Sequence, residues 1–175
     1  MKPAMLIPLV VGALLLADRT SGGVAAPQPP ANEKRQSRRP APPVRTFFGV
    51  ASAQTFTGSG HDLVTSFDCL HDIGEAWATA RHIREALTPE GTWLIVEPNA
   101  GDTLADNLNP VRQIYYSAST VLCAPNGLSQ PGGYAPGAQA REAATRRVIT
   151  DADFTPFRRP AETPFNLIHQ VLPQP

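Results

Sequence analysis

The amino-acid sequence predicts an α/β fold, a mostly parallel sheet that ends in an antiparallel C-terminal pair of strands. Two patterns carry this expectation. Between His61 and Pro98 an apolar run, a polar turn, an amphipathic stretch, a second turn and a second apolar run follow one another, the order of a β-α-β unit. Toward the carboxyl end, Phe154 to Arg159 and Phe165 to Val171 are two β-prone runs around Glu162-Thr163-Pro164, which reads as a turn.

Taken in order, the chain opens with Lys2, an apolar run from Met5 to Leu16 and small residues through Ala25-Ala26, similar to the three regions of a secretory signal peptide. The run is shorter than the about 20 apolar residues that span a bilayer as a helix. Residues 1–26 are thus a signal-like leader. Residues 27–43, PQPPANEKRQSRRPAPP, are rich in proline, with Lys34, Arg35, Arg38 and Arg39 against Glu33, and read as a disordered linker whose charges are solvated. Residues 44–175 form the domain.

Within the domain, Gly58-Ser59-Gly60 is a turn, and Leu63, Val64 and Phe67 mark a strand ending near Phe67 or Asp68. Cys69, Leu70 and His71 then lie on the loop at its carboxyl end, the edge where open α/β sheets bind ligands. Ile73, Ala76, Trp77, Ala80, Ile83 and Leu87 recur at helical spacing and make one buried face. Asp72 and Glu75 resemble a capping box at the start of that helix, and Pro89 with Gly91 a stop. The almost continuous apolar run Thr92 to Val96 suits a strand covered on both faces. Asn107 to Leu122 is a helix opened by Pro110, Leu128 to Gly137 a Pro/Gly loop, and Gln139 to Asp151 a further helix.

The 175 residues carry 15 basic and 15 acidic side chains, so no global charge favours nucleic acid. Cys69 and Cys123 have no metal-ligand spacing and form no cluster with histidines along the sequence, so no metal site is expected. They read as buried free thiols, with a disulfide plausible only on export.

Phe67-Asp68-Cys69-Leu70-His71-Asp72, the helix, and Ile95-Val96-Glu97-Pro98 together resemble strands four and five of class I S-adenosylmethionine-dependent methyltransferases. The match is nearest to bacterial methyltransferases similar to the plant O-methyltransferases. It extends back to Val50-Ala51-Ser52-Ala53-Gln54 and forward through Asn107-Leu108-Asn109-Pro110 to Glu162-Thr163-Pro164-Phe165-Asn166-Leu167. The resemblance implies an incomplete Rossmann-like class I methyltransferase fold that lacks the glycine-rich first strand-loop. Of the family's strand order 3-2-1-4-5-7-6 the chain would keep strand three (Thr46 to Val50) and strands four to seven. The outer edge of strand four then needs a cover: strand three, the leader's apolar run or a second chain.

The same resemblance implies transfer of a methyl group from S-adenosylmethionine to a small-molecule acceptor, by a truncated chain that is weakly active or inactive alone. A non-catalytic remnant acting as a binding or regulatory module is the alternative. His71 matches the family's base, and an imidazole near its unperturbed pKa of about 6.5 suits deprotonation of a hydroxyl. Glu97 matches the acid that orients it. Ser52, Ala53, Gln54, Phe67 and Asp68 match cofactor neighbours, and Asn107 and Tyr115 the acceptor side, although aromatic residues at helical spacing are more often core. Asp72 is read as the helix cap, and His61, His82 and His169 as surface or packing residues. The expected partners are a small-molecule methyl acceptor and a homo-oligomer or complementing chain, with no nucleic acid and no stable membrane span. The expected compartment is the cytoplasm, with export through the leader as the alternative.

Overall fold

The structure is a computed structural model, and it describes residues 14–17 and 50–174. The strands are β1 (Leu14–Ala17), β2 (His61–Phe67), β3 (Leu87–Pro98), β4 (Phe154–Glu162) and β5 (Asn166–Pro173). The helices are α1 (Ala76–Ala86), α2 (Pro110–Val121), α3 (Cys123–Ser129) and α4 (Glu142–Thr150), with 3-10 turns at Leu70–Asp72, Ala105–Asn107 and Gly137–Gln139. One mixed sheet has the order β1-β2-β3-β5-β4. β2 and β3 are parallel, as a β-α-β crossover requires. β5 runs antiparallel to both β3 and β4, which closes the C-terminal pair. The order β2-β3-β5-β4 matches the 4-5-7-6 part of the expected topology.

Of the three possible covers for the β2 edge, the leader supplies the one observed. β1 pairs antiparallel with β2, Leu14 opposite Ser66 and Ala17 opposite Leu63, so its backbone groups satisfy donors and acceptors that an edge strand leaves open. The strand expected at Thr46 to Val50 and the linker lie outside the described residues, apart from Val50, which is irregular and exposed.

The core forms where α1 and α4 lie on one face of the sheet. Ala76, Ala80 and Ile83 of α1 and Val148 and Ile149 of α4 meet Val64, Trp93, Ile95, Val171 and Phe154. Trp93, Ile95 and Glu97 alternate with the half-buried Thr92, Leu94 and Val96. β3 is therefore sealed on one face and partly covered on the other, a correction to the expected two-sided cover.

Two boundary expectations also change. The capping box does not form: Asp72 belongs to the 3-10 turn, and α1 starts after Glu75 with no side-chain cap. Pro89 and Gly91 do not separate helix from strand, because β3 begins at Leu87 and contains both. The β2–β3 register shifts between His61 and Leu63, and irregular pairing tolerates a proline without an N–H. A Cβ at Gly91 would lie 2.8 Å from the His61 carbonyl oxygen, so glycine permits a close strand approach there. The α2 prediction holds more closely, with Pro110 in its first turn and the Asn109 side chain accepting from Arg112 N at 3.1 Å. The expected loop after Leu128 is preceded by the short helix α3.

Candidate active site

The carboxyl ends of β2 and β3 lie side by side because the strands are parallel, Phe67 opposite Val96. Asp68 N still donates to Val96 O at 2.8 Å, and then Asp68 turns the chain with a left-handed φ of 46°. Asn166 Nδ2 donates to Asp68 Oδ1 at 3.1 Å, which ties this turn to β5. The following 3-10 turn buries Leu70, His71 and Asp72.

Glu97 organises the turn from beneath. It is 1% exposed, and its two oxygens divide the work: Oε1 accepts from Leu70 N at 2.9 Å, and Oε2 lies 2.6 Å from His71 Nδ1. An ionised carboxylate only accepts, so Nδ1 carries the proton and Nε2 keeps a lone pair. Burial, the largest influence, pushes the His71 pKa down. The bond to Glu97 and the charges of Glu97, Asp72 and Asp68 push it up, and the net shift is upward.

The acidic surroundings also silence the neighbouring thiol. Burial first, and then the Glu97 charge, raise Cys69 to about 12. A thiolate nucleophile is therefore absent at neutral pH. Burial likewise raises Asp68 and Asp72. Asp72 does not act as the expected cap; its Oδ1 sits 3.5 Å from His71 Nε2, and its carboxylate accepts from the Cys123 thiol. The arrangement can take a proton at Nε2, hold it as an imidazolium stabilised by Glu97, and return it.

The structure brings some expected site residues together and leaves others apart. Phe67 ends β2 exposed; burial first, and then the charge of Asp68, push the Tyr115 pKa up, and its hydroxyl donates to Phe165 O at 3.0 Å. Tyr115 is only partly buried and Tyr116 is exposed, so neither is a core residue. Asn107 is buried and its polar atoms are occupied: Oδ1 accepts from Gly101 N at 2.8 Å, and Nδ2 donates to Gly101 O and Thr103 O.

Ser52, Ala53 and Gln54 form a surface turn closed by Phe56 N donating to Ser52 O at 2.9 Å. The Phe56 ring packs against His82 of α1 and against His61, the first residue of β2. That turn lies toward the opposite end of β2 from Asp68. His61 and His169 are buried and His82 is half-buried, bonded to Phe56 O at 2.8 Å, in keeping with packing roles.

Sequence reasoning missed Asn166, Cys123 and the segment that covers His71. Tyr134 stacks edge-on against Trp77 at 4.7 Å, and together with Pro136 and Ala140 it bounds a cavity of about 10 Å³ beside His71. A larger hollow of about 330 Å³ lies among Asp102, Glu142, Arg146, Arg147 and Thr150 and does not include His71. No helix among the described residues is long and apolar enough to cross a membrane.

Neither a protein-family model nor a curated protein sequence matches the chain. Solved structures do. TnmH covers 73% of this chain at 20% identity with a TM-score of 0.58. Human N-acetylserotonin methyltransferase, solved with S-adenosylmethionine, covers 73% at 17% identity with a TM-score of 0.53. The S-adenosylmethionine-dependent methyltransferase SibL in its apo form covers 73% at 21% identity with a TM-score of 0.51. The matched region spans about a third of each of those proteins, from 34% to 35%. What this chain shares with them is the α/β fold of a methyltransferase, over part of its extent.

Proposed function

We propose that the chain carries the general-base side of a methyltransferase site. His71, oriented by Glu97, accepts the proton of a small-molecule hydroxyl at Nε2 as that oxygen becomes methylated. The observation that carries this reading is the 2.6 Å bond between His71 Nδ1 and a buried Glu97, at the ligand-binding edge of a methyltransferase-like sheet. S-adenosylmethionine, if bound, would supply the methyl group from its sulfonium sulfur, with the neutral thioether as the leaving group. The protein's own contribution is then orientation, exclusion of water and a place for the proton.

The described residues do not fit that cofactor as a closed site. A ligand of its size needs about 300–1,000 Å³, and the cavity beside His71 holds about 10 Å³. Phe67 and Asp68 stand at the appropriate edge, whereas Ser52, Ala53 and Gln54 lie away from it. We therefore assign the rest of the cofactor side to a complementing chain. The chain alone is then weakly active or inactive. Tyr115 is retained as an acceptor contact through its bond to Phe165 O, beside the Asn166 that holds Asp68, and Asn107 acts through the loop that it holds. Two free thiols favour a reducing compartment, the cytoplasm.

The small cavity also favours a second reading, a non-catalytic module that keeps the fold for binding or regulation. Labelled methyl transfer from S-adenosylmethionine at saturating concentration to a panel of phenols and alcohols separates the two. Slow transfer that is lost in His71→Ala supports the base. Transfer indifferent to His71→Ala removes the base role.

A further inference from the structure

The sequence contains no metal-ligand spacing, yet the fold gathers a ligand set. One donor atom each from His71, Asp72 and Cys123 lies within 4.8 Å of the others, and all three residues are buried. His71 Nε2 and Asp72 Oδ1 are already 3.5 Å apart. Tetrahedral bonds of about 2.0–2.3 Å hold donors about 3.5 Å from one another, so donors within 4.8 Å have to close by about 1.3 Å at most. Cys123 is the first residue of α3, where a side-chain torsion can supply that movement.

The contacts within the cluster join the same three groups. Asp72 Oδ1 is shielded from solvent and makes no hydrogen bond, and the partners of this carboxylate are the Cys123 thiol and, at 3.5 Å, His71 Nε2, so a cation in their midst would replace the protons that now link them. The surroundings are also prepared. Glu97 on Nδ1 is the outer-shell partner that ligating histidines use, because it fixes Nε2 as the lone-pair nitrogen and raises its basicity. Gln130 Nε2 and Asn126 Nδ2 donate to Asp72 O at 2.7 and 3.3 Å, which clamps the turn bearing His71 and Asp72 to the segment that begins at Cys123.

We propose that His71 Nε2, Asp72 Oδ1 and Cys123 Sγ bind a borderline-soft divalent transition-metal ion of the zinc class, with water in the fourth position. A nitrogen, oxygen and sulfur set selects against magnesium and calcium, which prefer oxygen alone. On binding, the Cys123 S–H bond breaks, the sulfur forms the metal bond with its electron pair, and the proton passes to solvent. The site shares His71 with the methyl-transfer reading without resting on it. A metal on Nε2 occupies the lone pair that a base needs, so metal and base function exclude each other, and zinc would act as an inhibitor.

The test is cobalt(II) titration of the purified full-length chain, stripped with chelator and free of S-adenosylmethionine. Expected are near-ultraviolet thiolate-to-cobalt absorption and visible bands of a tetrahedral ion, saturating at one equivalent and reversed by zinc. Cys123→Ser abolishes the charge-transfer band, Asp72→Asn weakens binding by about tenfold or more, and Cys69→Ser changes neither. Circular dichroism establishes that each variant is folded, and if Cys123→Ser is not, the isosteric Asp72→Asn decides. A wild-type chain without the charge-transfer band, a band that survives in Cys123→Ser, or unchanged affinity in Asp72→Asn overturns the proposal. Methyl transfer is not read, so an inactive chain leaves the metal site standing, and an absent metal leaves the base reading intact.

Discussion

Replacing Glu97 with Gln removes a charge and almost no volume from the centre of the site, so its consequences are electrostatic. The wild-type carboxylate sits 2.6 Å from His71 Nδ1 and helps to hold the imidazole pKa above its ordinary 6.5. A group whose folded pKa is raised contributes stability that is fully present below the unfolded value and is lost as pH rises through the folded one. The Glu97 contribution is therefore greatest below pH 6.5 and fades above it. A hydrogen bond to a charged group is worth about 1.5–3 kcal/mol, which is the loss expected for Glu97→Gln at low pH. Glu97→Ala also strips the acceptor from Leu70 N and leaves a buried pair broken, for about 3–5 kcal/mol. Urea unfolding of the three proteins, metal-free, on either side of pH 6.5 measures both effects. A Glu97→Gln penalty that does not shrink as pH rises would refute the argument that this carboxylate charges His71.

Three further outcomes follow from the packing. Trp93 is fully buried and donates to Ser66 Oγ at 3.1 Å, so Trp93→Ala should cost about 3–5 kcal/mol by denaturant unfolding, and a loss below about 1 kcal/mol would contradict the core described. Gly137 has a φ of 66°, and a Cβ there would collide with Ser119 Oγ; Gly137→Ala should lower stability by about 1–3 kcal/mol, and a neutral result would argue against this backbone. Deleting residues 1–43 removes β1 from the β2 edge and should produce concentration-dependent association in sedimentation velocity, whereas an unchanged monomer would show that the edge needs no cover.

The legible parts of the sequence were those with a local period. Ala76, Ala80 and Ile83 recur at helical spacing, and Pro110 marks the first turn of α2, so both helices were visible without tertiary information. Punctuation residues misled where tertiary contacts gave them other work. Pro89 and Gly91 sit inside β3 because irregular pairing and the nearby His61 carbonyl accommodate them, and neither fact is local. Asp72, by its spacing to Glu75, fits a helix cap. The 3-10 turn instead aims it at His71 and Cys123, and the latter arrives from a helix far along the chain. The His71–Glu97 pair was legible through resemblance, since a separation of 26 residues carries no local signal. Composition alone gives no sign that Leu14–Ala17 pairs with β2, because that pairing joins segments far apart in the chain.

The proposed function gives these residues the base side of a methyl-transfer site without a complete cofactor pocket. Calorimetric titration of the purified chain with S-adenosylmethionine and S-adenosylhomocysteine is the decisive measurement. Weak binding or none is predicted, because about 10 Å³ is enclosed beside His71 and Ser52 to Gln54 lie toward the other end of β2. Tight, saturable binding of either compound by the monomer would contradict it.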